Sequence, residues 1–138
     1  MVASFTINEL YIGMQVSSSH LITENKIKLF ADISGDYNPI HLDAEYAKTT
    51  RFGKQIAHGM LVSSFISTLF AMKLPGQGCI YLSQSLFFRK PVYINDVIIA
   101  TVEVITIDTS RKRVSFKTYC TVNDKIVIDG EAEIYIPD

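Results

Sequence analysis

The sequence predicts an α+β protein in which a curved antiparallel sheet wraps around one long, apolar helix. Residues 59–73 (GMLVSSFISTLFAMK) are apolar on nearly all sides, which is typical of a helix that is buried all round. Residues 113–122 and 126–136 alternate apolar and polar side chains, as antiparallel strands with one covered face do. A curved sheet wrapped around the helix would cover the helix and the apolar face of the strands at once. One such layer leaves a sheet edge exposed, so we expect a second copy to pair with it in a homodimer.

The segments before the long helix predict a strand and a first helix. Residues 14–22 (MQVSSSHLI) weakly indicate a strand. Thr23 is a suitable N-cap for a helix that runs to about Ser34, because apolar residues follow it at helical spacing. Gly35 is well placed to end this helix.

A loop and a short helix are expected next. Proline disfavours helical geometry at the residue before it, so the Asn38–Pro39 step predicts a loop over residues 36–42. Asp43 is a suitable cap for a short helix through Lys48.

The rest of the chain predicts four strands, over residues 79–89, 97–107, 113–122 and 126–136. The connection VNDKI at 122–126 is short enough for a hairpin. In the last two strands one alternating set is expected on the covered face: Val114, Phe116, Thr118, Cys120, Val122, Ile126, Ile128, Gly130, Ala132, Ile134 and Ile136.

Length and composition predict a single domain over residues 1–138 and argue against nucleic acid as a partner. A chain of 138 residues has a common domain size, and 48% hydrophobic residues are enough for a substantial core. The net charge is -1, the pI is about 6.3 and no basic run is present. Electrostatic binding of nucleic acid needs a concentration of positive charge that this sequence lacks.

The cysteines and the apolar segments predict a cytoplasmic protein. Cys79 and Cys120 lie far apart and match no metal or redox spacing, so both are expected to be buried free thiols in a reducing compartment. The start of the chain has no basic segment and no long apolar run, so no signal peptide is expected. Residues 60–72, the longest apolar stretch, are too few and too polar to span a membrane.

The segment SGDYNPIHLDAEYA, residues 34–47, places acid/base side chains close together. Asp36, Asn38 and His41 can do such chemistry or orient it, and a turn stiffened by Pro39 lets the carboxylate and the imidazole converge. A water held between them would have an acceptor on one side and a donor on the other. Adding water to a carbon skeleton requires this arrangement.

A second motif, IAHGML at residues 56–61, supplies the matching electrophilic half. The first amides of a helix have no internal partner and carry the positive end of the helix dipole. Gly59 has no side chain, so a substrate carbonyl can approach its N–H closely, and a buried terminus of this kind suits the oxyanion of a thioester enolate. His58 lies at the same terminus, where a neutral ring is expected.

Each feature alone also has a simpler interpretation. Asp36 and Asn38 are common turn residues that bind their own backbone, and a lone His41 is more often structural than catalytic. HGM before an apolar run also fits a plain helix start. The residues by themselves therefore leave open whether this α+β dimer is an enzyme.

Together, DYNPIHLDAEYA and the following FGKQIAHGML resemble the MaoC-like (R)-specific enoyl-CoA hydratases. Their signature reads Asp-x-Asn-Pro-(Ile/Leu)-His-x-Asp with an alanine four residues after the last Asp, here Asp43 and Ala47. The later segment LPGQGCIYLSQSLFFRKPVYINDVI is similar too, so the resemblance covers nearly the whole chain. The resemblance extends to the short, single-domain hydratases that feed polyhydroxyalkanoate synthesis. It implies the hot-dog fold and a homodimer that takes acyl-CoA near the subunit interface.

The resemblance also implies a role for each site residue. Asp36 is the expected base that activates water, and His41 orients the same water and handles the proton that reaches C2. The Gly59 amide is the expected oxyanion-hole donor, and Asn38 is expected to brace the catalytic loop. Ser67, eight residues beyond Gly59, resembles a position that lines the acyl pocket.

The implied reaction is the reversible hydration of trans-2-enoyl-CoA to (R)-3-hydroxyacyl-CoA, with no metal and no redox cofactor. The sequence agrees, since it has only three histidines, no clustered Cys or His ligands and no Gly-rich dinucleotide motif. The substrate implied is an acyl-CoA thioester, with acyl carrier protein as an alternative carrier.

Three rival functions remain. Hot-dog acyl-CoA thioesterases share the helix and its oxyanion hole but usually lack the Asp-x-Asn-Pro-x-His loop. A 3-hydroxyacyl dehydratase acting on acyl carrier protein uses the same reacting atoms, so the sequence does not separate it. A non-catalytic acyl-binding module is disfavoured because Asp36, His41 and Gly59 are all present.

Acyl chain length is not set by the sequence, although Thr68, Leu69 and Phe70 are candidates for closing the pocket. Arg89 and Lys90 either meet CoA phosphates or form a solvated strand end. Phe87 and Phe88 are expected in the core or a dimer interface. His20 is expected to be a surface strand residue.

Overall fold

The computed structural model describes residues 1–138 and has four helices and one sheet of six strands. In chain order, after a single 3-10 turn at Ile7–Glu9, the elements are β1 (Gln15–Leu21), α1 (Glu24–Ser34), α2 (Pro39–Leu42), α3 (Ala44–Lys48), α4 (Gly59–Met72), β2 (Ile80–Gln84), β3 (Phe87–Phe88), β4 (Val97–Asp108), β5 (Arg113–Val122) and β6 (Lys125–Tyr135). The predicted α+β class is confirmed.

The sheet is antiparallel throughout and holds α4 against one face. Its order is β1-β4-β5-β6-β2, with the short β3 also pairing with β6. Strand β1 forms one edge and β2 the other. Helix α4 packs against β1, β4 and β5, as the alternating pattern of the strands requires.

One hydrophobic core joins α4 to the sheet. Phe70 of α4 meets Phe116 of β5 edge to face, with ring centroids 4.8 Å apart. Fully burying a side chain of this size contributes about 1.5–3 kcal/mol to folding. The core residues are drawn from almost the whole chain. The largest fully buried ones are Phe70, Phe116, Ile22, Ile27, Ile66, Leu69, Leu74, Ile98, Ile128, Ile134, Val62 and Val102.

Helix α4 is not buried all round, so that prediction is wrong for the single chain. The sheet covers one side of the helix and leaves the other exposed. The exposed side carries four small residues and two methionines: Met60, Ser64, Ser67, Thr68, Ala71 and Met72. Edge strand β2 is open as well, with Ile80, Tyr81 and Leu82 all exposed.

The predicted helix ends before the site are confirmed. The Thr23 hydroxyl caps α1 by accepting from the Lys26 amide, and Gly35 ends it in the left-handed conformation with φ 80°. Asp43 caps α3 by accepting from the Tyr46 amide. Strand β1 also lies where the weak pattern indicated.

The predicted loop over residues 36–42 is wrong in its second half, because residues Pro39–Leu42 form the helical turn α2. Proline disfavours helix at the residue before it but suits the first helical position, where its missing N–H is no loss. Asn38 is extended and caps the turn, its side-chain oxygen accepting from the Ile40 amide at 3.3 Å. The Asn–Pro step therefore starts a helix here.

Two strand predictions need correction. Residues 79–89 form two separate strands, β2 and β3. Ile126 was expected on the covered face but is 41% exposed. Cys120 pairs with Ile128 and Thr121 pairs with Ile126, so Val127 is an extra residue in β6. This bulge reverses the alternation before Ile128, and both Val127 and Ile128 are buried.

Two single-residue expectations, those for Cys79 and His20, also change. Cys120 is buried, and burial raises its pKa to about 12, but Cys79 is only half-buried; both thiols are free. His20 is half-buried and stacks on Phe65 with ring centroids 4.0 Å apart. None of the helices is long and apolar enough to cross a membrane.

Candidate active site

Asp36 lies in the short segment between α1 and α2, and hydrogen bonds hold its backbone. Its side chain accepts from the Asn38 amide at 3.1 Å, and its own amide donates to the Ser34 hydroxyl at 3.2 Å. Its carbonyl oxygen lies 3.0 Å from Nε2 of His58. The carboxylate itself is exposed. The loop is thus fixed while the carboxylate remains accessible.

His41 lies in α2 and is 9% exposed. Its Nδ1 is 2.8 Å from the carbonyl oxygen of Ile56. Since a carbonyl only accepts, Nδ1 carries the hydrogen, and in the neutral ring Nε2 has a free lone pair. Burial lowers the pKa of His41 below its usual value, although the Ile56 carbonyl and the nearby Asp36 carboxylate oppose this. The neutral ring therefore presents an acceptor.

His58 is the N-cap residue of α4 and is 2% exposed. Its Nε2 donates to the Asp36 carbonyl, and its Nδ1 has no hydrogen-bond partner. The ring stacks on that of His41, with centroids 3.9 Å apart and planes 26° from parallel. His58 therefore contacts both halves of the predicted acid/base pair.

Asp36, His41 and His58 each place one potential ligand atom within 4.8 Å of the others. A divalent metal needs lone pairs that converge on one point. The two stacked rings are nearly parallel, so their in-plane lone pairs lie in separate planes, and one nitrogen of each ring already donates to a carbonyl. The arrangement suits a water between the carboxylate and Nε2 of His41 better than a metal ion.

The N-terminus of α4 offers unpaired amides. His58 makes no side-chain capping bond, and the N–H groups of Gly59, Met60 and Leu61 donate to no acceptor in the chain. A β-carbon on Gly59 would lie 2.5 Å from Cε1 of Phe88, so no side chain fits there without moving that ring. The terminus therefore has free donors and a close-packed, side-chain-free approach.

Gly59 and His41 line the same pocket, which has a volume of about 290 Å³. Phe88 forms part of its wall, and the cationic side chains of Arg51, Arg89 and Lys90 also line it. Arg89 is paired with Asp129 at 3.1 Å, whereas Arg51 and Lys90 make no salt bridge. The pocket thus combines acid/base, amide and positively charged groups.

Ser67 lines a different cavity, on the exposed side of α4, with a volume of about 580 Å³. The opposite wall is edge strand β2. Here Tyr81, which is 39% exposed, packs edge-on against Phe70, and partial burial raises the pKa of its hydroxyl to about 12. The cavity is lined by Phe30, Met60, Ser63, Ser64, Ser67, Tyr81, Leu82, Ser83, Gln84 and Leu86.

The structure thus brings most of the predicted site together. Asp36 and His41 converge, and His41 shares its pocket with Gly59, while Ser67 lines a separate cavity. Sequence reasoning gave His58 no role in the acid/base pair. Nor did it find the contact of Phe88 with Gly59, because residues 29 positions apart meet only through the fold.

Comparison with known proteins identifies the family. Residues 10–127 match the model of the MaoC-like domain. The chain is 47% identical over 125 residues to an (R)-specific enoyl-CoA hydratase of Rhodospirillum rubrum, which covers 91% of this chain and 87% of the relative. The chain belongs to the MaoC-like family, as its motifs predicted.

Further comparisons support the fold and show the range of relatives. An unliganded R-hydratase from Pseudomonas aeruginosa superposes with a TM-score of 0.94 and 43% identity, covering 99% of this chain and 88% of that one. The predicted hot-dog fold is confirmed. A mitochondrial 3-hydroxyacyl-[acyl-carrier-protein] dehydratase of Arabidopsis thaliana is 38% identical over 141 residues, covering 99% of this chain and 82% of the relative.

Proposed function

We propose that this protein is an (R)-specific enoyl-CoA hydratase, a hydro-lyase that reversibly converts trans-2-enoyl-CoA to (R)-3-hydroxyacyl-CoA. One observation carries the proposal. The Asp36 carboxylate and the His41 imidazole lie within 4.8 Å of each other, beside a helix terminus with unpaired amides. Acid/base groups and an oxyanion site are what hydration of an unsaturated thioester needs.

The water is bound by two acceptors. The Asp36 carboxylate accepts one of its hydrogens and Nε2 of His41 accepts the other, which turns an oxygen lone pair toward C3 of the substrate. The sequence led us to expect a donor from His41, but the bond from Nδ1 to the Ile56 carbonyl makes Nε2 an acceptor in the neutral ring.

Asp36 and His41 together remove one proton from the water and return it to the substrate. As the oxygen bonds to C3, the pair removes one proton from the water, and the electrons of the double bond move to the thioester oxygen. We assign the transferred proton to Nε2 of His41, where Asp36 and the Ile56 carbonyl stabilise the imidazolium. The same N–H protonates C2, and the ring returns to its neutral state.

The intermediate enolate bonds to the free amide of Gly59. Its negative charge lies at the positive end of the α4 dipole, with no side chain between the two. Asn38 holds the loop, because its amide binds the Asp36 carboxylate and its side chain caps α2. No step uses a metal or redox cofactor.

The carrier we propose is coenzyme A. Its diphosphate and 3′-phosphate would meet Arg51 and Lys90, the unpaired cations of the pocket that holds His41 and Gly59. The competing carrier, acyl carrier protein, is named for the dehydratase of Arabidopsis thaliana.

The acyl group and the second subunit are assigned to the exposed side of α4. We propose that the acyl chain extends into the cavity lined by Ser67. A second copy, pairing at edge strand β2, would close this cavity and cover exposed apolar residues in a homodimer. The two free thiols support the proposed cytoplasmic location.

The test follows enoyl absorbance with crotonyl-CoA while a thiol reagent monitors free CoA. We expect loss of the alkene, no thiol release and an (R)-3-hydroxy product. Release of thiol with an intact alkene would instead identify a thioesterase. An intact alkene with no thiol release would favour a binding module.

The carrier is tested with the same acyl group on coenzyme A, on pantetheine and on acyl carrier protein. We expect Lys90→Ala to raise KM for the CoA ester and to leave the pantetheine ester unaffected. Lys117→Ala, an exposed lysine of β5 outside the pocket, is the control. A clear preference for acyl carrier protein in the wild type would contradict the CoA assignment.

A further inference from the structure

We infer that His58 is a positioning residue, which fixes the loop of Asp36 to the helix terminus of Gly59 through its Nε2–H and supports the ring of His41 by stacking. This inference rests on the proposed hydratase function and extends it to a residue that touches no reacting atom.

The hydrogen bond of His58 joins the two halves of the site. Its Nε2 donates to the carbonyl of Asp36 at 3.0 Å, across 22 positions of sequence. His58 is also the residue directly before Gly59, whose amide is the proposed oxyanion donor. One side chain therefore sets the position of the carboxylate loop relative to that amide. A misplacement of about 1 Å between such groups can reduce a rate by about a hundredfold.

The stacking contact fixes the third member of the site. The ring of His41 lies against that of His58 with centroids 3.9 Å apart, and Phe30 packs on the His58 ring at 4.9 Å. The Ile56 carbonyl that binds His41 belongs to the same strand-like segment, two residues before His58. His41 is thus held by the backbone on one side and by a ring on the other.

The hydrogen bond and the stacking contact explain why a histidine with an unpaired Nδ1 occupies this buried position. A buried polar atom without a partner is rare and calls for a reason. Nδ1 of His58 is such an atom, and its residue is 2% exposed. A flat ring that donates from one end supplies both the bond to Asp36 and the surface for His41, and the idle nitrogen at its other end follows from this use.

A pair of variants separates the hydrogen bond from simple packing. Glutamine at position 58 can donate from its side-chain amide to the Asp36 carbonyl, whereas leucine fills similar space without a donor. With crotonyl-CoA we expect His58→Leu to lower kcat at least about tenfold with KM within about threefold. We expect His58→Gln to recover most of that loss, and His20→Gln, outside the site, to retain wild-type kcat.

Two outcomes would overturn the inference: equal activity of the leucine and glutamine variants, or a loss that falls on KM alone. If His58→Leu does not fold, the comparison uses His58→Gln and His58→Asn, because the shorter asparagine places its amide farther from Asp36.

A measurement on the wild type needs neither activity nor a variant. Long-range ¹H–¹⁵N spectra of the imidazoles should show one histidine, absent from the spectrum of His58→Gln, with a protonated Nε2 and a bare Nδ1. The opposite tautomer would refute the bond to Asp36. An inactive wild type with the expected tautomer would instead refute the hydratase proposal and leave the geometry of His58 intact.

Discussion

The Nδ1 atom of His41 lies 2.8 Å from the carbonyl oxygen of Ile56, and this contact determines which nitrogen of the ring faces the pocket. Nδ1 is the donor, so Nε2 is free to accept from water. Protonation of Nε2 removes that acceptor. The role proposed for His41 therefore requires its neutral state.

The activity should fall on the acid side at an unusually low pH. Burial lowers the pKa of His41 from its ordinary 6.5, so Nε2 remains an acceptor below that value. We expect the acid limb of kcat/KM, measured from about pH 5 to 9, to have its midpoint below about 6.5. A midpoint above about 7 would contradict the assignment.

The lowered pKa of His41 also predicts how the free energy of unfolding changes with pH. Since the folded state lowers the pKa, protons bind the unfolded chain more readily. The contribution of neutral His41 to the free energy of unfolding is thus present above the unfolded pKa. It is lost as pH falls through the folded-state pKa. Replacing His41 by Gln should reduce the loss of stability on acidification in urea titrations.

Gly59 can be required for two reasons, which a double variant separates. Gly59→Ala puts a methyl group 2.5 Å from the present position of the Phe88 ring, and it also hinders the approach of a carbonyl to the amide. Phe88 is 54% exposed, so its ring can move and the protein should still fold. We expect kcat to fall at least about tenfold in Gly59→Ala.

Adding Phe88→Ala removes the clash and leaves the obstructed amide. We expect the Gly59→Ala, Phe88→Ala protein to remain as impaired as Gly59→Ala, relative to Phe88→Ala alone. Recovery of kcat in the double variant would show that the glycine serves packing and not oxyanion binding.

Ser67 should control the length of the acyl chain. It lines the cavity of about 580 Å³, so Ser67→Leu fills part of that volume. We expect KM to rise for trans-2-octenoyl-CoA and to change little for crotonyl-CoA. Thr68→Leu is the matched control, because Thr68 is exposed on the same helix but does not line the cavity. Equal effects of the two variants on both substrates would contradict the assignment of the cavity.

Strand β2 should be the dimer edge. Leu82 lies on it and is 42% exposed, so a charge there would be buried by a second copy. We expect Leu82→Asp to elute as a monomer in size-exclusion chromatography with light scattering, and the wild type as a dimer. Ile33→Asp, an exposed apolar position on α1, should leave the dimer intact. A dimeric Leu82→Asp protein would place the interface elsewhere.

Much of the fold was readable from local pattern. Caps at Thr23 and Asp43 and the glycine stop at Gly35 act over a few residues, so the sequence alone predicts them. The register of β6 was not readable, because the bulge at Val127 is set by pairing with β5. The exposed side of α4 was missed because its apolar and small residues look the same whether a sheet or a second copy covers them.

The site also divides into features that a local motif predicts and features that only the fold brings together. Asp36, Asn38 and His41 lie within one loop and turn, so a motif captures them together. The bond from His58 to the Asp36 carbonyl and the contact of Phe88 with Gly59 join distant segments, and no local spacing indicates them. The tautomer of His41 depends on Ile56, which lies 15 positions away.

The most direct measurement compares the rate of crotonyl-CoA hydration in the wild type with that in Asp36→Asn. Asparagine keeps a side-chain oxygen for the Asn38 amide, so the loop should stay folded while the carboxylate is lost. Asp124→Asn, which changes an exposed carboxylate in the turn between β5 and β6, is the control. We predict a fall in kcat of at least about a hundredfold in Asp36→Asn alone, with an unchanged melting temperature. A kcat within about threefold of the wild type would show that Asp36 does not act on the water.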